Sequence, residues 1–550
     1  MKFKSSKVMS ILLPVLLTVI FAGILYFVYL PAITIHSIDF WISLVIIIVF
    51  AMGMFVLFIR GNKNVIKIPL IMIIAIVAVV IVGSVIGLQI FNATRYASVL
   101  DVKDYDFTQD LSESLSTSSI ALMDTDSARM LGDREIGSLS EVVSQYEVSE
   151  EYVQIDFNGN PKKVSPLMYA GIIKWFNNRD RGIPGYVTVD PVTMSADYTE
   201  LEEGMKYVPS AYLFDNLERH IRFACPTKIF GNTHFEIDEE GNPYFVSAVY
   251  KYTIGLFDGK TVGVAIITDP ISGEVTYYDL EEIPRWVDMV FDGELLCEQY
   301  NWYGQLSNGY FNQMFAKKGC KVITDTSSAN PNSTAVDFGY ISKDGDIWIY
   351  TGVTSINSDS SNIGFVLINE RTGEAHYYSI SGADEASAMA AAQGEVQEKG
   401  YRASFPSLIN VDGMPTYIMV LKDASGLVKL FAAVNVEQYN NVVTATSQTE
   451  CFEKYRKLMG TADTTIDDTV DTDVENEETT KVETTQMTFE VVKMQYVDVE
   501  GNTFVYFTDS DGNIYKARFS DNEKLILTNV GDTITVNCAL ENGVYRIYNK

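Results

Sequence analysis

Histidine is nearly missing from this chain. Four occur in 550 residues, His36, His220, His234 and His376. None lies in HExxH or another spacing that turns two imidazoles toward one metal, so each reads as an ordinary surface or half-buried side chain. Cysteine is almost as scarce. Cys225, Cys297, Cys320, Cys451 and Cys538 are odd in number and far apart, with no Cys-x-x-Cys. This excludes a dense disulfide framework and leaves a zinc or thioredoxin-like site without ligands. One bridge is possible, and if one forms Cys297–Cys320 is its pair; the sequence leaves it open whether they are bonded. GxSxG, Walker and GxGxxG loops are absent too. No catalytic residue, metal ligand or cofactor is expected.

Positive charge is the next deficit. Lysine and arginine number 41 against 71 acidic residues, a formal net charge of −30. A surface of that sign repels phosphates, which argues against a nucleic-acid partner.

Charge of either sign is absent from the interior of three long apolar runs, at about Val8–Leu30, Phe40–Ile59 and Ile68–Phe91. Each is long enough for a helix to cross a hydrocarbon core of roughly 30 Å. A soluble core helix would keep a polar face, so these are expected to span a membrane. The first run exceeds a signal-peptide core, and no small-x-small site follows it. Lys2, Lys4 and Lys7 precede span one, and Arg60, Lys63 and Lys67 lie between spans two and three, while "PAITIHSID" has no lysine or arginine. The positive-inside rule then puts the N-terminus in the cytoplasm and everything after about residue 95 outside the plasma membrane. Gly83 and Gly87 form a GxxxG in span three, a groove that admits another helix, of this chain or of a partner. With no ionisable residue inside the spans, an ion path through this chain alone is not expected.

What the exported part does contain is a repeated phrase. "GVAIITDPISGEVTYYDL" from Gly263 returns as "GFVLINERTGEAHYYSI" from Gly364. Weaker copies are "GYVTVDPVTMSADYTEL" from Gly185 and "TYIMVLKDASGLVKLFAAV" from Thr416. Asp269 of one copy becomes Asn369 in the next, and Glu274 becomes Leu427 in the last, so strand–turn–strand persists while the acids do not. Ahead of each copy stands another strand pair, with turns on Gly159, Gly241, Gly345 and Gly413; Asn-Gly and Asp-Gly between alternating strands signal tight hairpins. Helical sequence follows the first three copies. The unit is therefore an α+β module of antiparallel strands plus helix.

The expected organisation is a transmembrane anchor over 1–95 and an approach segment over 96–150. Modules follow over 151–230, 231–330, 331–404 and 405–460. An acidic Thr-rich linker that cannot bury enough surface to fold covers 461–486, and a small all-β barrel of five strands covers 487–550. In the approach segment, two short helices are expected around Gly132-Asp133, the second capped by Ser138 or Ser140.

Two features could bind something. "EQYNWYGQLSNGYFNQMF" (Glu298–Phe315) is rich in aromatic and amide groups that suit a sugar or peptide, making Trp302, Tyr303 and Tyr310 interface candidates beside Gly83 and Gly87. The acidic turns Asp238–Gly241, Asp269–Glu274 and Asp344–Asp346 read as solvated carboxylates, with weak Ca²⁺ binding the alternative. "TDSDGNIY" fails as an EF-hand because Gly512 comes fourth from Asp509 where the loop needs glycine sixth.

The phrase hhhhxDxxTGExxYYxh, clearest at Val264–Leu280 and Phe365–Ile380 and looser at Tyr186–Leu201 and Ile418–Val434, resembles the PepSY-like, peptidase-propeptide-type modules of bacterial envelope proteins. "VGDTITVNC" resembles the penultimate strand of OB barrels. More broadly, Ser127–Gly460 is similar to uncharacterised membrane-anchored surface proteins of Gram-positive bacteria, through "ARMLGDREIGSL", "GIPGYVTVD", "TKIFGNTHFEIDEEGNPY" and "NIGFVLIN". The resemblance implies an envelope location and binding or restraint of envelope partners. No peptidase domain is attached, unlike in secreted propeptides. The expected function is a non-enzymatic envelope protein whose repeats bind or scaffold a protein or cell-wall partner. The alternatives are an accessory or regulatory subunit of a membrane peptidase, transporter or signalling complex, or a cell-wall-acting enzyme. Expected partners are the bilayer, such an envelope component and a second copy of the chain.

Overall fold

Three helices open the chain: α1 (Met9–Tyr29), α2 (Ile38–Phe58) and α3 (Asn64–Gly87). All three are long and apolar enough to cross a membrane. The computed structural model describes residues 9–59, 63–111, 122–324, 338–357, 361–460, 485–499, 502–509, 513–518, 531–541 and 544–548. It divides into two compact units, 1–462 and 463–550. The expected linker lies outside the described residues up to position 484.

The third span ends earlier than the apolar run suggests. Leu88 leaves the helical region (ψ 140°), and a separate helix α4 (Gln89–Ala97) follows. Asn92 makes the break tolerable, because its Nδ2 donates to the carbonyls of Ile86 (2.7 Å) and Leu88 (3.1 Å) that a continuing helix would have used.

The approach segment also differs from expectation. Its helix runs unbroken from Thr125 to Gly137, through Gly132-Asp133, with Asp124 as N-cap. Glycine is needed at 132 for space, since a Cβ there would collide with the Tyr152 hydroxyl. The turn comes at Ser138, whose Oγ donates to the Glu135 carbonyl at 2.7 Å, and the next short helix starts after Leu139 without a side-chain cap. Val102–Asp104, ahead of it, joins the third repeat's sheet as a strand parallel to Ala375–Tyr378.

Each repeat forms a sheet around a four-stranded antiparallel meander. The first sheet holds Val153–Phe157, Asn160–Tyr169, Ile183–Asp190 and Ser195–Met205. The second holds Phe230–Ile237, Pro243–Ile254, Asp258–Thr268 and Val275–Asp279. The third is built on Gly339–Lys343, Asp346–Ser355, Gly364–Asn369 and Ala375–Tyr378. The fourth is built on Ser407–Val411, Met414–Lys422, Val428–Asn435 and Val442–Ala445. A helix follows every copy, including the fourth, where the sequence pattern predicts none: Leu217–Ala224, Gly293–Leu306, Glu385–Gly394 and Gln448–Met459.

The sheets stack face to face. In the second, Phe245 and Ile266 point into the core shared with the first sheet, while Val246, Ala265 and Ile267 point into the core shared with the third. In the third, Ile349 and Ile368 face back, and Trp348, Tyr350 and Phe365 face Tyr417 and Met419 of the fourth. Residues of opposite parity thus feed two cores, which requires strands apolar on both faces, such as "IWIY" and "YIMVL". The stack closes on itself. Lys422 of the fourth sheet ion-pairs with Asp124, and Met194, from a first-sheet turn, packs into the cluster behind the fourth. Across the middle, Ser342 of the third sheet donates to Asp156 of the first at 2.9 Å, and the Lys163 ammonium sits 5.4 Å from the Tyr340 ring centroid. The result is a ring of four sheets.

In the second unit the described residues form six strands, ordered 485–490, 533–541, 544–548, 514–518, 502–508, 493–499. The single strand expected at Met487 breaks at Val491, and 514–518 lies parallel to 544–548.

All five cysteines are buried free thiols, so the bridge that Cys297 and Cys320 could have made is not formed. Cys297 faces the core between the second and third sheets. Cys320 lies past the end of that helix, where its Sγ donates to the Gln305 carbonyl at 3.5 Å.

Candidate interface at the membrane junction

Gly83 and Gly87 stand one turn apart on α3 and make a bare strip. The turn Gly255–Phe257, between the two long strands of the second sheet, fills it. A Cβ on Gly83 would lie 2.5 Å from Leu256 Cδ1, and one on Gly87 would overlap the Asp258 carboxylate. Gly255 (φ +59°) has no room for a side chain either, since its Cβ would sit 3.0 Å from Gly87 Cα. The GxxxG groove therefore receives a hairpin of the same chain.

Polar contacts complete the seat. His36 Nδ1 is 2.8 Å from the Leu256 carbonyl, Ile33 N–H donates to Pro226 O at 2.7 Å, and Arg95 donates to Thr253 O. Arg219 Nε donates to the Phe27 carbonyl at 3.1 Å, near the end of α1, and its guanidinium lies 4.3 Å from the Phe27 ring centroid. Tyr96 Oη donates to Gly87 O at 2.9 Å. Burial pushes the Asp258 carboxyl up, and a hydrogen bond with Tyr96 opposes that shift. Burial also raises the Tyr96 phenol, and the Asp258 charge adds to it.

The aromatic candidates meet this seat from the other side. Trp302 packs edge-on against Tyr96 at 5.1 Å, and Tyr310 joins the cluster of Tyr96, Ile254 and Leu306. Tyr303 is separate, packed on the core between the second and third sheets beside Tyr300. Four of the five sequence candidates therefore converge. The residues sequence reasoning missed are Tyr96, Leu256, Asp258 and His36. The only local signal for them was "GLFDG", a turn-like stretch with no repeat counterpart. Beside Trp302 lies a cleft of about 280 Å³ lined by Gln89, Glu294, Glu298, Asn301, Gln305 and the Cys297 side. Burial first, and then the Glu370 charge, push the Cys297 thiol up, so it stays protonated and is a poor nucleophile.

The acidic turns already have partners, two of them in their own backbones and the third in an arginine. Asp269 Oδ1 accepts from Ile271 N and Ser272 N at 2.8 and 3.2 Å. Asp238 Oδ1 accepts from Glu240 N and Asn242 N, and Asp346 takes both arms of Arg371 at 2.8 and 2.6 Å. Among the described residues no three His, Cys, Asp or Glu side chains are placed to hold a metal ion.

Buried charge concentrates in the ring's middle. Asp288 Oδ2 accepts from Asp156 N at 2.6 Å, and Glu236 accepts from the backbone N–H of Asp288 and Met289 at 2.9 and 3.0 Å. Burial, and next the Glu236 charge, push the Asp288 carboxyl well above its usual range. Burial pulls the Lys163 ammonium down to about 8.

No family model and no curated protein matches the chain. Among solved structures, the chain aligns with an ACO/RPE65 chimera over 53% of its own length and 58% of that chain, at 8% identity and a TM-score of 0.14. A score that low carries no argument about fold or activity.

Proposed function

We propose that the chain is a non-enzymatic, membrane-anchored envelope protein whose four-sheet ring is a binding or scaffold surface for a protein or cell-wall partner. One observation carries this reading: the ring is seated on the spans through Gly83, Gly87 and hydrogen bonds that join Ile33 to Pro226, His36 to Leu256 and Arg219 to Phe27. A flexible tether would suffice to keep an activity near a membrane. A seated ring presents its outer faces at a set height and angle, which matters for recognition. The PepSY-like reading draws support from the recurring hairpins, and the OB-like reading from the terminal strand order, with its broken first strand and a parallel pair.

The Gram-positive cell is what the resemblance implies, and the charge distribution around the spans supports a plasma-membrane protein with a cytoplasmic N-terminus. Because the five native thiols are buried, cysteines placed singly at Lys63 and Lys399 test it cleanly. An impermeant maleimide should label the second in intact cells and the first only after permeabilisation; the reverse pattern overturns the orientation. For the binding role, cross-linking the full-length chain in cells and recovering it in detergent should yield one stoichiometric partner or a second copy. Repeated recovery of the chain alone would sink it.

A second reading, an accessory subunit of a membrane complex, is favoured by span three. None of its most apolar 18-residue window is buried. The Gly83–Gly87 strip is taken, so a partner helix would use Ile74 and Ile81, both exposed. Ile74→Trp with Ile81→Trp should then break co-purification of a membrane partner, and an intact complex would count against this reading.

A further inference from the structure

The geometry points to a second mode of membrane contact: two apolar outcrops of the ring lie in the headgroup boundary of the same bilayer the helices cross, on either side of the helix bundle. This rests on the membrane-spanning reading above.

The first outcrop adjoins the end of α1. Phe214 and Phe223 meet Phe27 at ring-centroid distances of 5.4 and 6.2 Å. Tyr212 then packs on Trp175 at 5.5 Å, which joins Leu213–Asp215 to the helix Ile172–Asn178. On these two elements Ile173 is 71% exposed, Phe176 67% and Phe214 65%. The second outcrop adjoins the end of α3. Tyr310, in the Tyr96 cluster, touches Phe311 at 5.8 Å, and Phe311 stacks with Phe315 at 6.4 Å on a π-helical turn (Asn312–Ala316). Phe315 is 75% exposed and Met314 is exposed beside it.

Solvent cannot be the natural neighbour of so many large apolar side chains gathered in two places. Two observations choose the bilayer as the occupant. The first outcrop runs ring to ring onto Phe27 of α1, and the second runs through Tyr310 into the cluster of Tyr96 on α4, the helix that directly follows α3. Each is also edged by basic side chains in an otherwise acidic chain. Arg179 lies 5.8 and 5.9 Å from the Trp175 and Phe176 ring centroids, and Lys317 and Lys318 are exposed just past Phe315. Aromatics flanked by lysine and arginine suit the zone between acyl chains and phosphates.

The test uses the full-length chain in lipid nanodiscs, with single cysteines at Phe176, Phe214 and Phe315 carrying an NBD label; the native thiols are buried. Leu427, 47% exposed in the turn just before the strand Val428–Asn435 of the fourth sheet, across the ring from the second sheet, is the control. A label at Val79 in α3 reports the spanning reading. Doxyl groups near the headgroup should quench the three outcrop labels at least twofold more than the Leu427 label, with blue-shifted emission. Deep doxyl groups should quench Val79. If Val79 is not quenched, the spanning reading has failed. If Val79 is quenched and the outcrops match Leu427, this inference is overturned. Blue-shifted but unquenched outcrops whose shift falls on dilution would assign the patches to a second copy and also overturn it.

Discussion

At the scale of single residues, two kinds of side chain decide this molecule: those that are absent and those that are buried with charge. Gly83 and Gly87 act through missing atoms. Gly87→Leu would push the Gly255–Asp258 turn off α3 while leaving the sheets intact. Hydrogen exchange of the Leu256–Gly259 amides should then accelerate, with second-sheet amides such as Val246 unchanged; unaltered exchange at the turn would show that the seat does not depend on the strip. Asp288 acts through its proton. Its carboxyl is raised by burial and by Glu236, so the folded chain holds a proton that the unfolded chain releases near pH 4. Stability from this group is therefore full below about pH 4. It is lost as pH climbs from there to the folded value, at about 1.4 kcal/mol for each pH unit. Asp110 and Asp124 are both shifted down and act at more acid pH. Asp288→Asn keeps an acceptor for Asp156 N–H and cannot ionise. Melting temperature between pH 5 and 8 should fall less in this variant than in the parent, and parallel curves would refute the assignment.

At the scale of elements, the hairpins were legible and the helix boundaries were not. Asn158-Gly159, Asp344-Gly345 and Asp412-Gly413 each carry two positive φ values, as two-residue turns of this hand require. Few residue types tolerate that, so the sequence marks the place. The repeated phrase is explained in the same terms. Asp190, Asp269, Asn369 and Asp423 each accept two backbone N–H groups of their own turn through Oδ1. Only an oxygen at that spot is common to the four copies, which is why Asp and Asn interchange. Asn369 has a further duty, since its Nδ2 donates to Asp346 at 2.8 Å. Asp269→Asn should leave the melting temperature within experimental error, while Asp269→Ala should cost about 1 kcal/mol. Asn369→Asp should cost more than Asp269→Asn, because it sets a second carboxylate against Asp346. Equal effects of Asp269→Asn and Asp269→Ala would mean the turn oxygens are incidental, and equal effects of Asn369→Asp and Asp269→Asn would refute the Asp346 contact. The helix from Thr125, by contrast, runs through Gly132 because of Tyr152, a contact no local pattern announces.

At the scale of the whole molecule, the sequence pointed to four modules and gave no sign of their closure. Continuous apolar strands are the trace of two-faced burial, but they say nothing about which sheet lies on which side. The link that closes the ring, Asp124 to Lys422, and the one across its middle, Ser342 to Asp156, join residues far apart in the chain and leave no mark in composition. The same blindness held at the junction, where a glycine pair and an aromatic stretch, read as unrelated features, proved to be neighbours through Tyr96. Shared cores have a consequence that tandem domains would not. All five tryptophans lie at or before Trp348, so the fourth sheet and the second unit contribute none, and only Trp348, which faces the fourth sheet, senses its packing directly. Val420 is fully buried in the fourth sheet, facing the helix Gln448–Met459. If the ring unfolds as one body, Val420→Ala should shift the tryptophan transition by about 1–3 kcal/mol, as Val246→Ala does from within the second sheet. Independent modules would instead confine the change to a separate phase from Trp348 and leave the main tryptophan transition unmoved by the fourth-sheet variant, and the ring would then be an association of separate domains.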